Sequence, residues 1–156
     1  MHPNEDQLST QIKNLTGNNQ FVTCQIGEEM YGIDILLVQE IIRYSKPTKI
    51  YNANPIVEGV INFRGKIIPL IDMRSKFNMP RADYDAYTIV IIIEYQRKTI
   101  GVIVDRVSDI VTFKEQDIQV IDQEFAEEVR TRHIKGIGKA TSQIVFLFDS
   151  DQLISM

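Results

Sequence analysis

Apolar and polar residues alternate through Phe21-Val22-Thr23-Cys24-Gln25-Ile26, and Gly27-Glu28-Glu29 separates that stretch from Met30-Tyr31-Gly32-Ile33. A period of two marks a strand with one buried face, so the two runs with a glycine-bearing break predict a hairpin. From Asp34 to Arg43 the apolar residues Ile35, Val38, Ile41 and Ile42 fall near helical spacing, with Asp34 placed as an N-cap, which predicts a short helix ending before Pro47. Val57 to Phe63 and Lys66 to Met73 flank Arg64-Gly65, where glycine can supply the positive φ of a tight turn. Pro69, lacking an N–H, confines the second run to a sheet edge or a bulge. Thr88 to Glu94 and Thr99 to Val104 are rich in β-branched residues, and a further apolar run, Ile144 to Phe148, follows Gly136-Ile137-Gly138.

Helices long enough to cover a parallel sheet are missing between these runs. The pattern therefore predicts a mainly β chain built from small antiparallel barrels, with short helices, rather than a doubly wound α/β layout. No repeat of 20 to 50 residues is evident. Residues 1–19 are polar apart from Leu8, Ile12 and Leu15 and end in Gly17-Asn18-Asn19, so they read as a tail, partly helical, preceding a domain over 20–156.

With 156 residues and 44% apolar composition the chain can bury one core, in a single domain or in two lobes that share it. Cys24 is the sole cysteine and has no internal disulfide partner, which points to a reducing cytoplasm. The unbroken aliphatic run Ile89 to Ile93 is far shorter than the roughly 20 residues that cross a bilayer. Neither a membrane span nor a secretory leader is expected. Seventeen basic and twenty-one acidic residues give a net charge of −4, and the basic pairs are scattered, so a nucleic-acid partner is disfavoured.

Candidate chemistry is sparse. Apolar runs ending in Asp72 and Asp105 superficially suggest a phosphorylatable carboxylate. The acidic pair and the alternating helices of a receiver domain are missing, and both aspartates read as strand-end residues that hydrogen-bond turn amides. His2 and His133 lie in no catalytic motif, and His133 reads as a surface residue. Two histidines and one cysteine, far apart, lack metal-site spacing, and Gly136-x-Gly138 is weak as a phosphate loop. The chain reads as a non-enzyme without metal or cofactor.

One ordered series remains: Tyr31-Gly32-Ile33-Asp34-Ile35, Val38-Gln39-Glu40-Ile41, Gly59 through Arg74, Gly101 through Ile110, Gly136-Ile137-Gly138 and Ile144 to Asp149. Taken together, over about residues 20 to 155, it resembles the CheW family of chemotaxis coupling proteins. The resemblance implies two small SH3-like five-stranded β-barrels on a shared hydrophobic core. It also implies a non-catalytic adaptor, cytoplasmic and recruited to membrane-associated receptor arrays. Its implied partners are the cytoplasmic tip of methyl-accepting chemoreceptors and the regulatory domain of the histidine kinase CheA.

Carried over by position, Val38, Ile89, Val107 and Ile110 match apolar residues of the receptor-binding face, with Gly59 and Arg64 in the region of the N-x-R-G motif. Such a face suits an amphipathic helix held by a few apolar anchors. Ile35 and Glu40 match one kinase interface, and Glu124 with Phe125 the other. That second match needs one extra residue within 119–123, and Gln119 stands where an arginine is familiar. The residues themselves leave the four aliphatics open as core or interface, and Arg64 open as an organiser of the fold. Rival readings are an adaptor of pilus motility or another CheA-dependent pathway, a small nucleic-acid-binding barrel, and an enzyme using Asp72 or Asp105.

Overall fold

The first alternating stretch forms β1 (Gln20–Ile26), which pairs antiparallel with β2 (Glu29–Asp34) and sets Cys24 opposite Tyr31. The structure, a computed structural model, describes residues 5, 7, 19–51, 54–121, 132–140 and 142–156. Gly27 takes a φ of +66° in the connecting turn, a conformation that costs glycine nothing.

The helix expected after Asp34 is a single 3-10 turn, Ile35–Leu37, and the chain then extends as β3 (Val38–Arg43). Asp34 does cap that turn, its carboxylate accepting from the Leu36 N–H at 2.9 Å. The misleading spacing has a cause in the sheet: the register of β3 shifts between Val38 and Glu40. One bulged residue lets Val38 and Ile41, three apart, both face inward, which imitates a helical period.

β4 (Val57–Phe63) and β5 (Lys66–Asp72) form the second hairpin. Arg64 and Gly65 both have positive φ at its tip, and Asn62 Oδ1 accepts from the Gly65 N–H at 2.9 Å. Asp72 caps the one-turn helix α1 (Met73–Lys76) through the Ser75 N–H at 2.8 Å. β6 (Ile89–Tyr95), β7 (Lys98–Val104) and β8 (Arg106–Thr112) follow. Then come a 3-10 turn at Glu115–Asp117, β9 (Ile118–Val120), β10 (Ile134–Ala140), β11 (Gln143–Phe148) and helix α2 (Ser150–Ile154).

These strands make two sheets, ordered β8-β1-β2-β11-β10-β9 and β3-β6-β7-β5-β4. Five strands per lobe were expected; the first lobe has six, the short β9 included. Neither sheet is wholly antiparallel, because β2 pairs parallel with β11 and β5 parallel with β7. Each sheet thus joins two hairpins through one parallel contact, a duplication of topology that leaves no repeat in the sequence. β5 is interior rather than an edge. Its pairing with β7 spans Leu70 to Asp72, so Pro69 is paired only with β4, opposite Val60, and its missing N–H is tolerated.

The main core draws on both sheets, with Val22, Cys24, Ile26, Tyr31 and Ile33 from the first and Ile71, Ile89, Ile91, Ile93, Ile100, Val102 and Val104 from the second. Each lobe also has a core of its own: Ile68, Leu70, Val90, Ile92 and Ile103 in the second, and Phe21, Phe113, Val145 and Leu147 in the first. The continuous run Ile89 to Ile93 follows directly from this arrangement. Within this run the odd-numbered residues enter the shared core and the even-numbered ones the lobe's own core, so none of the five faces water.

Candidate interaction surfaces

The two strand-end aspartates, Asp105 and Asp72, are spent on internal hydrogen bonds. Asp105, where the chain crosses from β7 to β8, receives Arg74 Nε at 3.0 Å, Arg74 Nη2 at 2.7 Å and the Gly27 N–H at 2.8 Å. Its own N–H donates to Gln25 O at 3.0 Å, while Arg74 Nη1 reaches Pro80 O at 3.1 Å. The hydrogen bond to Asp105 pushes the Arg74 guanidinium above its usual range. One carboxylate thereby ties the β1–β2 turn of the first lobe to α1 of the second.

Asp72, besides capping α1, accepts from the Tyr84 hydroxyl at 2.5 Å, and the Tyr84 ring lies 4.3 Å from that of Tyr44. Burial, then Asp72, pushes the Tyr84 phenol far upward. Arg81 pairs with Glu58 and donates to the Tyr84 hydroxyl. Neither aspartate is a free carboxylate, as the strand-end reading anticipated. His133 departs from its surface reading: it is half-buried, with Phe77 edge-on at 5.5 Å. Cys24 is fully buried, which drives its thiol pKa far up and makes it a poor nucleophile. Among the described residues no group of three or more His, Cys, Asp and Glu is placed to hold a metal.

The residues singled out by resemblance fall into two settings. Val38, Ile89 and Ile35 are 4–5% exposed and lie inside the shared core, while Val107 and Ile110, on the edge strand β8, are half-buried and pack against that same core. The four aliphatics assigned to the receptor face therefore belong to one cluster, with Val107 and Ile110 on its open side. Gly59 is buried, and a Cβ there would stand 2.5 Å from Thr48 O, so glycine lets that segment bridge to β4.

Arg64 is exposed at its turn, lies 5.0 Å above the Phe63 ring and pairs with Glu40 of β3 at 3.0 Å. Two residues assigned to different partners thus touch each other. Glu124 and Phe125 lie outside the described residues.

Sequence reasoning missed Leu36, which is 67% exposed beside buried Ile35 and Leu37. The signal was present: three successive apolar residues after a capping aspartate cannot all turn inward from one 3-10 turn. Ile67, Tyr87, Val120 and Ile144 are further exposed large apolar residues. A polar cleft of about 250 Å³ between the lobes is lined by Gly27, Arg74, Asp83, Asp85, Asp105 and Arg106, among others.

Two sheets locked on one core, with internally satisfied carboxylates and with exposed apolar and charged side chains at their ends, define a docking scaffold. Comparison with known proteins gives that class a family. The model of the CheW-like domain matches residues 20–156. The chain is 37% identical to the chemotaxis protein CheW of Klebsiella aerogenes over 90% of its length and 84% of that protein's. It is 30% identical to that of Bacillus subtilis, over 94% and 92%. The scaffolding protein TtCheW from Thermoanaerobacter tengcongensis superposes with a TM-score of 0.77 at 28% identity, over 89% of each chain. The chain belongs to the CheW-like domain family and is a non-catalytic chemotaxis adaptor.

Proposed function

We propose that the adaptor couples the cytoplasmic tips of methyl-accepting chemoreceptors to the regulatory domain of the kinase CheA, with the receptor on one surface and the kinase on two others. The observation that carries this reading is that the two sets of residues sit on different edges: half-buried Val107 and Ile110 on β8, an edge strand of the six-stranded sheet, and exposed Leu36 on the turn that enters β3, an edge strand of the five-stranded sheet. On β8, Val107 pairs with Cys24 and Ile110 with Val22 of β1, whereas the Leu36 turn leads into β3, whose Val38 pairs with Ile93 of β6.

The β8 side, backed by Val38 and Ile89, is the receptor surface, where half-buried aliphatics offer anchors to an amphipathic helix. A second corner, with Leu36 exposed over buried Ile35 and with Glu40 paired to Arg64, is one kinase surface. Glu124 and Phe125 are assigned to the other. Residues 20–156 form the docking unit and 1–19 a tail, of which Glu5 pairs with Arg43 at 2.8 Å. Among the described residues no helix is long and apolar enough to cross a membrane. The reading places the protein in the cytoplasm, recruited to receptor arrays without inserting into the membrane and without binding nucleic acid.

The test is a pair of titrations, one with a soluble receptor hairpin fragment and one with the CheA regulatory domain. Ile110→Asp should weaken receptor binding by about tenfold or more while sparing the kinase domain, and Leu36→Asp should do the reverse. Equal losses towards both partners from either variant, with unchanged melting, would show a single shared surface and overturn the reading of separate receptor and kinase surfaces.

A further inference from the structure

Several arginines are committed within the chain: Arg74 to Asp105 across the lobes, and Arg81 to Glu58 and Arg64 to Glu40 within the second. Arg106 is not. It opens β8 immediately before Val107, is exposed, and among the described residues its side chain makes no hydrogen bond or ion pair. Its guanidinium instead lies over the ring of Tyr87, 4.6 Å from the centroid.

Tyr87 is 66% exposed, yet its backbone is pinned: its N–H donates to Asp85 Oδ1 at 2.8 Å, and the Asp85 N–H donates to Thr88 Oγ1 at 2.9 Å. Thr88 is buried, and its carbonyl accepts from the Tyr44 N–H at 3.0 Å. The ring thus stands on a fixed turn of the second lobe and holds a cation of the first, bridging the interlobe cleft at its rim.

Stacking occupies one face of the guanidinium and leaves the edge that carries its N–H donors free. Tyrosine and arginine are also side chains that recur as binding hot spots. The neighbouring carboxylates do not cancel this charge by contact. Asp105 is held by Arg74 and Gly27, Asp85 by the Tyr87 N–H and by Thr88, and Asp83 lines the same cleft without pairing to Arg106.

We infer that Arg106, positioned by Tyr87, is the polar anchor of the receptor surface and accepts a carboxylate side chain of the docked helix next to the apolar anchors held by Val107 and Ile110. This rests on the proposed receptor surface and adds the charge that sets the helix's register along β8. An acidic side chain about one or two turns from the apolar anchor residues is the chemistry it selects.

The experiment titrates wild type, R106E, R106Q and Y87A with the receptor hairpin fragment and with the CheA regulatory domain, at low and at physiological salt. R106E should weaken fragment binding at least about tenfold at low salt, and R106Q should lose less and flatten the salt dependence. Y87A should lose about threefold by freeing the guanidinium. Kinase-domain affinity and melting temperature should stay at wild-type values, and one Glu→Lys or Asp→Lys change in the fragment should restore binding to R106E. If R106E bound the fragment within about twofold of wild type at low salt while I110D lost it, the receptor surface would stand and the Arg106 anchor would fall. Failure of wild type to bind the fragment would overturn both, and equal loss towards the kinase domain would reassign Arg106 to another surface.

Discussion

Replacing Asp105 with asparagine isolates the clasp between the lobes, because the shape is kept and only the charge and one acceptor are removed. In the wild type the carboxylate accepts three N–H groups, two from Arg74 and one from the Gly27 backbone. An amide has one oxygen, so its NH2 must face either Arg74 Nε or else Arg74 Nη2 together with the Gly27 N–H, donor against donor in both orientations. The Arg74 and Asp105 side chains are only 22% and 27% exposed, so water replaces the lost acceptor incompletely. Charge-assisted hydrogen bonds in such settings contribute about 1.5–3 kcal/mol, and the expected loss is about 2 kcal/mol. For a chain of this length that lowers the melting temperature by roughly 4–8 °C. Urea unfolding of D105N, R74M and the double variant measures both the loss and the coupling. If D105N fell within about 0.5 kcal/mol of wild type, or if the two losses simply added, the clasp would be no more than a surface contact.

Lys76 is buried, with Nζ donating to the carbonyls of Leu153 and Ser155, and burial pulls its ammonium down to about 8 from 10.5. The unfolded chain then binds the extra proton between those values, so this group adds stability as pH rises from about 8 to 10.5 and loses it again on descent. The difference in stability between wild type and K76M should grow across that window, and a flat difference would contradict it. G101A should cost about 1–3 kcal/mol in urea unfolding. The reason is that its Cβ would meet Leu70 Cδ2 at 2.5 Å and Val90 Cγ1 at 2.8 Å. Cys24 should resist thiol reagents in the folded protein and react in denaturant, and fast labelling of the native state would contradict its burial.

The strands were legible because their patterns are nearly pure. β1 alternates, and the Arg64-Gly65 turn sits between two apolar runs. β3 was not legible as a strand, since its bulge shifts the apolar period from two towards three and Asp34 supplies a genuine cap. The parallel contacts between β2 and β11 and between β5 and β7 left no local mark, because residues far apart in the chain meet there. The family's pattern named the candidate site residues, but it could not say that Ile35 faces inward and Leu36 outward, nor that Arg64 and Glu40 pair. Those facts depend on which way one turn of backbone points. Tyr87 and Arg106, nineteen positions apart, carry no motif, and their contact exists only once β6, β7 and the crossing are folded.

β6 explains how one small chain can serve two partners without an active site. Ile89, Ile91 and Ile93 are fixed in the core common to both lobes, and Val90 and Ile92 in the second lobe's own core. A one-residue slip would exchange the two sets, placing residues shaped for one core into the other, so the register is held from both faces. Ile89, of the proposed receptor set, opens this strand, and Val38, which directly follows the Leu36 turn, pairs with its Ile93. A scaffold with that spine transmits position rather than shape change: it fixes the spacing and angle between two bound partners. Ile91→Ala, which removes side-chain volume at the middle of the spine, should cost about 2–5 kcal/mol of stability while leaving each separate affinity nearly unchanged in protein that remains folded. Receptor-dependent kinase activation, which needs both partners held at once, should fall more than either affinity. If activation tracked the affinities alone, the rigidity of β6 would have no part in coupling.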